Sequence, residues 1–299
     1  MEEKRCTLVG LLADVLLTIA KMIAGIMGRS GAMIADAVHS AGDCLTSGVV
    51  AAMVAMGSRG ADDTYSYGHG KFNTLAALIM GIILLIVGGH LLIDGATDVW
   101  QALAGGTTLE RPAPLALAVA VAAILTKEGL YHYTKAVARR ADSKALGAYA
   151  WHHRGDALST FTTLAGVTGA MFLGEKWRVL DPLAAMVVSV LIIVLAVRIA
   201  KPAIEELLEI SLPRDEVERI KQIIGSTPGV CSYHNLRTRR NGSLRVVDLH
   251  IKVDGNLTVA AGHDISNAVE HALAEAFGHV ITYIHIEPYR GQNGCEKSN

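Results

Sequence analysis

Long apolar runs fill the first two thirds of the chain and give way to alternating patterns in the last third. Six stretches, roughly residues 8–27, 32–57, 74–99, 113–134, 148–173 and 180–200, are mainly apolar. Each approaches the ~20 residues that a helix needs to cross a bilayer. The links GRSG (28–31) and GEKWR (174–178) are short, which predicts tight antiparallel hairpins for the first and last pairs. Lys127 and Glu128 interrupt the fourth stretch. They are expected near its end, where long side chains reach the membrane surface. After Pro202 the periodicity changes. PRDEVERIKQIIGSTPGV reads as a helix opened by Pro213 and closed before Pro228. CSYHNLRTRR and SLRVVDLHIKVD alternate as strands around the turn signal Asn241-Gly242. TVAAGHDISNAVEHALAEAFG is an amphipathic helix and HVITYIHIEPY a last strand.

The expected fold is therefore an α-helical membrane protein, with six transmembrane helices followed by a small α+β (αββαβ) cytoplasmic domain. The expected boundaries are 1–208 for the membrane part, 209–290 for the second domain and 291–299 for a disordered tail. Composition agrees with lipid contact: 51% of residues are hydrophobic, 18% charged and 5% aromatic. The net charge of -1 and the lack of a basic stripe exclude nucleic acid as a partner. Cys6, Cys44, Cys231 and Cys295 have no CxxC spacing and read as free thiols. MEEKRC leads into the first apolar run without a small-residue cleavage site, so a retained helix is expected. Lys4, Arg5, Arg59, Lys71, Lys135, Arg139, Arg140, Lys144, Arg198 and Lys201 fall at one set of helix ends. Only Arg29, Arg111, Lys176 and Arg178 fall at the other. That bias puts both termini in the cytoplasm.

The chemistry lies inside the apolar runs. His39 and Asp43 in the second helix, and His152 and Asp156 in the fifth, are each four residues apart. That spacing sets each pair on one helix face. Two imidazoles and two carboxylates suit zinc, or neighbours such as cobalt and cadmium. Asp36 lies one turn before His39, with ligation and a supporting role both open. His90 and Asp94 repeat the spacing near the outer end of the third helix, with Asp98 beyond. A polar helix end or a pathway vestibule is the expectation there.

The runs SGAMIADAVHSAGD, YGHGK, AWHHRGDALST and LDPLAA resemble the cation diffusion facilitator family from residue 8 to about 289. The resemblance implies a transport site of His39, Asp43, His152 and Asp156, a homodimer in the bilayer, and export of divalent metal against protons. It implies a cytoplasmic binuclear site of His234, His250, His263, His285 and Glu287, with Glu287 where the family usually has aspartate. It also implies a loop site at Asp62 and His69, although Tyr65 stands where a second histidine is expected. Lys71 is expected to meet Glu209. Members with Asp-x-x-x-Asp in the second helix include iron(II), zinc and manganese transporters; His39 matches members that favour zinc and leans the expectation to zinc. The expected location is a prokaryotic inner membrane. A metalloenzyme is disfavoured because four ligands leave no open position for water and no separate general base is evident. A membrane-bound metal sensor or scaffold is the alternative, but it gives no reason for ligands inside the bilayer.

Overall fold

The computed structural model describes residues 2–57, 62–104, 109–140, 144–242 and 244–289. The expected tail, and Arg59, lie outside the described residues. Six long helices come first: α1 Glu2–Met27, α2 Gly31–Gly57, α3 Gly70–Leu103, α4 Pro114–Arg140, α5 Lys144–Phe172 and α6 Leu180–Leu207. A short 3₁₀ turn, Glu175–Val179, precedes α6. Among the described residues, four stretches in α1, α3, α4 and α6 are long and apolar enough to cross a membrane by composition alone.

Cα proximity divides the chain into two compact units. One comprises residues 1–51 and 79–200, the other residues 52–78 and 201–299. In the first, Met33, Val167, Val188 and Ile192 are buried among small residues such as Ala24, Ala32, Ala116 and Ala184. Small side chains let helix backbones approach closely where lipid supplies no hydrophobic drive between helices. A Cβ at Gly166 would lie 2.4 Å from that of Ala184, so α5 and α6 pack at glycine distance there. Leu16, Ile86, Leu125 and Leu158 point outward, as lipid-facing residues should.

The first hairpin has a polar lock that the spacing alone does not announce. Asp181, at the start of α6, accepts from the Ser30 hydroxyl at 2.6 Å and from Gly31 N–H at 2.7 Å. Ser30 Oγ in turn accepts from Met33 N–H. The N-terminus of α2 is thus capped twice, once by Ser30 just before it and once by Asp181 of α6. This fixes the helix that carries His39 and Asp43.

The expected fourth helix end is displaced. α4 continues to Arg140, so Lys127 lies thirteen residues past Pro114, about 20 Å along the axis. It is buried rather than snorkelling, its side chain only 3% exposed.

The second unit contains α7 Arg214–Ser226, β1 Ser232–Asn241, β2 Leu244–Asp254, α8 Val259–Phe277 and β3 Val280–Tyr289. The sheet order is β1-β2-β3, with β1/β2 antiparallel and β2/β3 parallel across the α8 connection. Val247, Leu249, Ile251 and Val253 meet Ile220, Ile224, Val269 and Leu273 in the core. Alternation along β2 therefore leaves His250 on the opposite face. Asn241 Nδ2 donates to Tyr67 O at 2.9 Å and Gly242 N–H to Glu206 Oε1 at 2.7 Å, seating the hairpin tip. Gly242 has φ +62 and its missing Cβ would fall 3.0 Å from Gly70 Cα, so two glycine backbones touch here. The expected Lys71–Glu209 pair forms at 3.0 Å, which holds the Glu209 carboxyl below its usual range.

Cysteine usage differs from the expectation. Cys6 and Cys44 are free, but Cys231 is disulfide-bonded. Sequence spacing cannot show such a pairing, because only the fold brings thiols together.

Glu216 carries a pH prediction. It accepts from Arg245 Nε at 2.6 Å and Arg240 Nη2 at 2.9 Å, and the Arg245 bond leads in holding its carboxyl below the ordinary value. A depressed carboxyl stabilises the fold fully above the ordinary glutamate value. That stability is lost as pH falls through the folded value. Thermal melts should therefore show Glu216→Gln losing about 1 kcal/mol relative to wild type at pH 7. The difference should shrink below about pH 4.

Candidate metal centres

Ionisable groups at membrane depth are costly unless paired or bound, and three layers of them cross the first unit. The deepest in packing terms is Lys21 of α1 with Asp36 of α2. Lys21 Nζ is 2.9 Å from Asp36 Oδ2 and donates to Ser40 Oγ at 3.0 Å and Thr160 Oγ1 at 2.8 Å. The side chains of Lys21 and Asp36 are both 0% exposed. Asp36 is thereby committed to a lysine.

One to two turns along α2 and α5 lies the first candidate centre. One ligand atom each from Asp43, His152 and Asp156 come within 4.8 Å of one another. His152 Nδ1 is 3.7 Å from Asp156 Oδ1. His39 stands beside this group: its Nε2 is 3.8 Å from Asp43 Oδ2 and its buried Nδ1 has no hydrogen-bond partner. The i,i+4 spacing thus works in each helix, and α2 and α5 bring the two pairs together.

The third layer is Lys127. Its Nζ lies 2.5 Å from Asp156 Oδ2 and 2.7 Å from Asp14 Oδ1 of α1. Asp14 and Lys21 have no place in the sequence reading above, and Lys127 is expected there only as a surface-reaching helix-end residue. Their signal was available, since each interrupts an apolar run. Their partners were not, being 15 to 139 residues away in the chain.

His153 is buried against the Tyr149 ring, its nitrogens make no hydrogen bond, and its Nδ1 lies 3.9 Å from Asp14 Oδ1. Arg154 stacks on Tyr131 and Trp151 and pairs with Glu128 at 3.5 Å. His90 and Asp94 form an exposed pair at 3.4 Å outside any three-ligand group among the described residues.

The second candidate centre is on the open face of the sheet. Register places His234, His250 and His285 side by side across β1, β2 and β3. Their rings lie 5.0 Å and 4.7 Å apart in turn. Glu287 serves all three: its Oε1 is 2.8 Å from His250 Nδ1, 3.5 Å from His234 Nε2 and 4.0 Å from His285 Nε2. The His250 bond leads in keeping the Glu287 carboxyl below its usual range. His234, His250 and Glu287 form a three-ligand group. His263, early in α8, is exposed and outside it.

In the loop before α3, Asp62 Oδ2 is 3.4 Å from His69 Nε2. Asp62 Oδ1 accepts from Thr64 and Tyr65 N–H, which holds the carboxyl low and closes the turn. Tyr65 packs its ring on His69 and Phe72 instead of offering a ligand. Neither Asp63 nor any other described acid or histidine makes a three-ligand group here.

Six long helices, two of which present the paired candidate ligands, are followed by a small three-stranded sheet domain. The family profile described as the cation efflux transmembrane domain matches residues 7–208. The cytoplasmic domain of cation efflux proteins matches residues 212–289. The chain belongs to this cation diffusion facilitator family. Metal tolerance protein C1 of Arabidopsis thaliana is 36% identical over 306 residues, covering 98% of this chain and 64% of its own length. The manganese efflux system protein MneP of Bacillus subtilis is 29% identical over 292 residues, covering 96% of each chain. Among solved structures, CzrB in a zinc form shares 34% identity with a TM-score of 0.25, covering 28% of this chain and 94% of that one.

Proposed function

We propose that the protein exports a divalent transition metal from the cytoplasm, zinc first, in exchange for protons and by alternating access. The observation that carries this reading is the convergence of Asp43, His152 and Asp156 between two helices of a cation efflux chain, with His39 beside them. Two imidazoles and two carboxylates favour zinc, cobalt or cadmium over the oxygen-loving ions. Manganese is the second metal to test, because MneP is named for manganese efflux and two of the three converged ligands are carboxylates. Iron(II) completes the set.

Proton coupling follows from ligand chemistry. Imidazole must be neutral to bind metal and can take a proton once metal leaves, and an ordinary histidine titrates near 6.5. Opened to the acidic side, the group exchanges metal for protons; opened to the cytoplasm, it exchanges them back. The wild-type chain in proteoliposomes, tested with zinc, manganese, iron(II), cobalt and cadmium one at a time, should move zinc only when a pH gradient is imposed. Equal flux without the gradient removes the exchanger. No flux of any metal, with metal still bound, gives the sensor reading the lead.

The sheet cluster of His234, His250, His285 and Glu287 is the cytoplasmic centre, which His263 completes with residues of a second copy in a homodimer. The Lys71–Glu209 pair ties that domain to the base of α3. Both termini are cytoplasmic, in a prokaryotic inner membrane. Zinc at a hundredfold excess over its Kd should stabilise the domain by about 2.7 kcal/mol. His250→Ala combined with Glu287→Gln should abolish this part of the thermal shift. A shift of unchanged size in that variant places the ion elsewhere.

A further inference from the structure

The candidate transport group already holds a cation of the protein's own. Asp156 presents Oδ1 to His152 and Oδ2 to Lys127, whose ammonium is 2.5 Å away and whose side chain is 3% exposed. The same ammonium is 2.7 Å from Asp14 Oδ1 on α1, itself 12% exposed. A divalent ion on Asp156 and an ammonium on the same carboxylate repel strongly in so dry a place. A buried ammonium with no partner is just as unfavourable. Asp14 resolves the conflict, because it offers a second carboxylate already within hydrogen-bond distance.

We infer that Lys127 is a resident counter-cation that exchanges with the transported metal on Asp156, with Asp14 as the carboxylate that retains it while metal is bound. The inference rests on the reading of Asp156 as a transport ligand. Lys127 keeps its charge throughout, so no proton moves in this step. Metal entry lifts the ammonium off Asp156 and leaves it on Asp14. Metal departure lets it return, so the emptied carboxylate is never left bare. Lys127 thus lowers affinity and assists release, and Asp14 raises affinity only by giving Lys127 somewhere to go.

The test is equilibrium titration of the purified full-length protein with zinc alone, each variant compared with its own Asp156→Ala derivative to isolate binding that needs Asp156. Lys127→Met should bind about tenfold tighter and Asp14→Asn about tenfold weaker. In the Lys127→Met background, Asp14→Asn should change nothing, because there is no ammonium left to retain. If Asp14→Asn weakens zinc equally in both backgrounds, Asp14 acts on the metal directly and the exchange is overturned. An unchanged affinity in Lys127→Met overturns it as well. Lys127→Gln, which still donates to both carboxylates, replaces Lys127→Met if that chain does not fold, with the same expectations. A merely structural lysine would lower the melting temperature without tightening zinc. If wild type shows no binding that needs Asp156, the transport-site reading itself falls and takes the inference with it.

Discussion

Asp156→Ala should reduce metal flux in proteoliposomes to that of empty vesicles, a loss of at least about a hundredfold. Three things depend on this carboxylate. It is one of three ligands already within 4.8 Å of each other. It carries half of the negative charge that a divalent ion meets among Asp43, His152 and Asp156. It also faces Lys127, so its removal leaves that ammonium with Asp14 alone. Asp43→Ala should be nearly as severe. His39→Ala should be milder, since His39 touches the group only through Asp43. Normal flux in Asp156→Ala would take the metal path out of the α2–α5 pair altogether.

Lys21→Ala should prevent accumulation of folded protein. Lys21 and Asp36 are both wholly buried, and Ser40 and Thr160 take up further bonds of the ammonium. Removing one partner strands a charge, at a cost of about 3–5 kcal/mol. That is a large share of the roughly 5–15 kcal/mol that holds a typical domain folded. Lys21→Met with Asp36→Leu should recover most of the loss, because an apolar pair of similar volume needs no charge compensation. Detergent-solubilised yield and thermal melting of the two variants and wild type measure it. A well-folded Lys21→Ala would show that water reaches this layer.

The legible parts of the fold were those set by local period. Six apolar runs became six helices, the Asn241-Gly242 signal became the β1/β2 hairpin, and four-residue spacing put His152 with Asp156 and His39 near Asp43. Two-residue alternation likewise put His285 and Glu287 on one face of β3. The Lys71–Glu209 pair was legible through resemblance, not period. What escaped was set by partners far along the chain. A lysine in an apolar run can snorkel or be buried, and only the carboxylates facing it decide. For Lys127 these are Asp14 and Asp156, on two other helices. Asp181 lies in the LDPLAA run, yet its use in capping α2 depends on a neighbour about 150 residues earlier. The disulfide at Cys231 had no spacing signal to announce it.

The central claim is that metal sits between α2 and α5. Its most direct test is a crystal structure grown with zinc, with anomalous differences collected at the zinc edge for wild type and Asp156→Ala. Wild type should show a peak bounded by Asp43, His152 and Asp156, with His39 drawn in, and the variant no such peak. Zinc found only beside His234, His250 and Glu287, with the helical group empty at saturating metal, would contradict it.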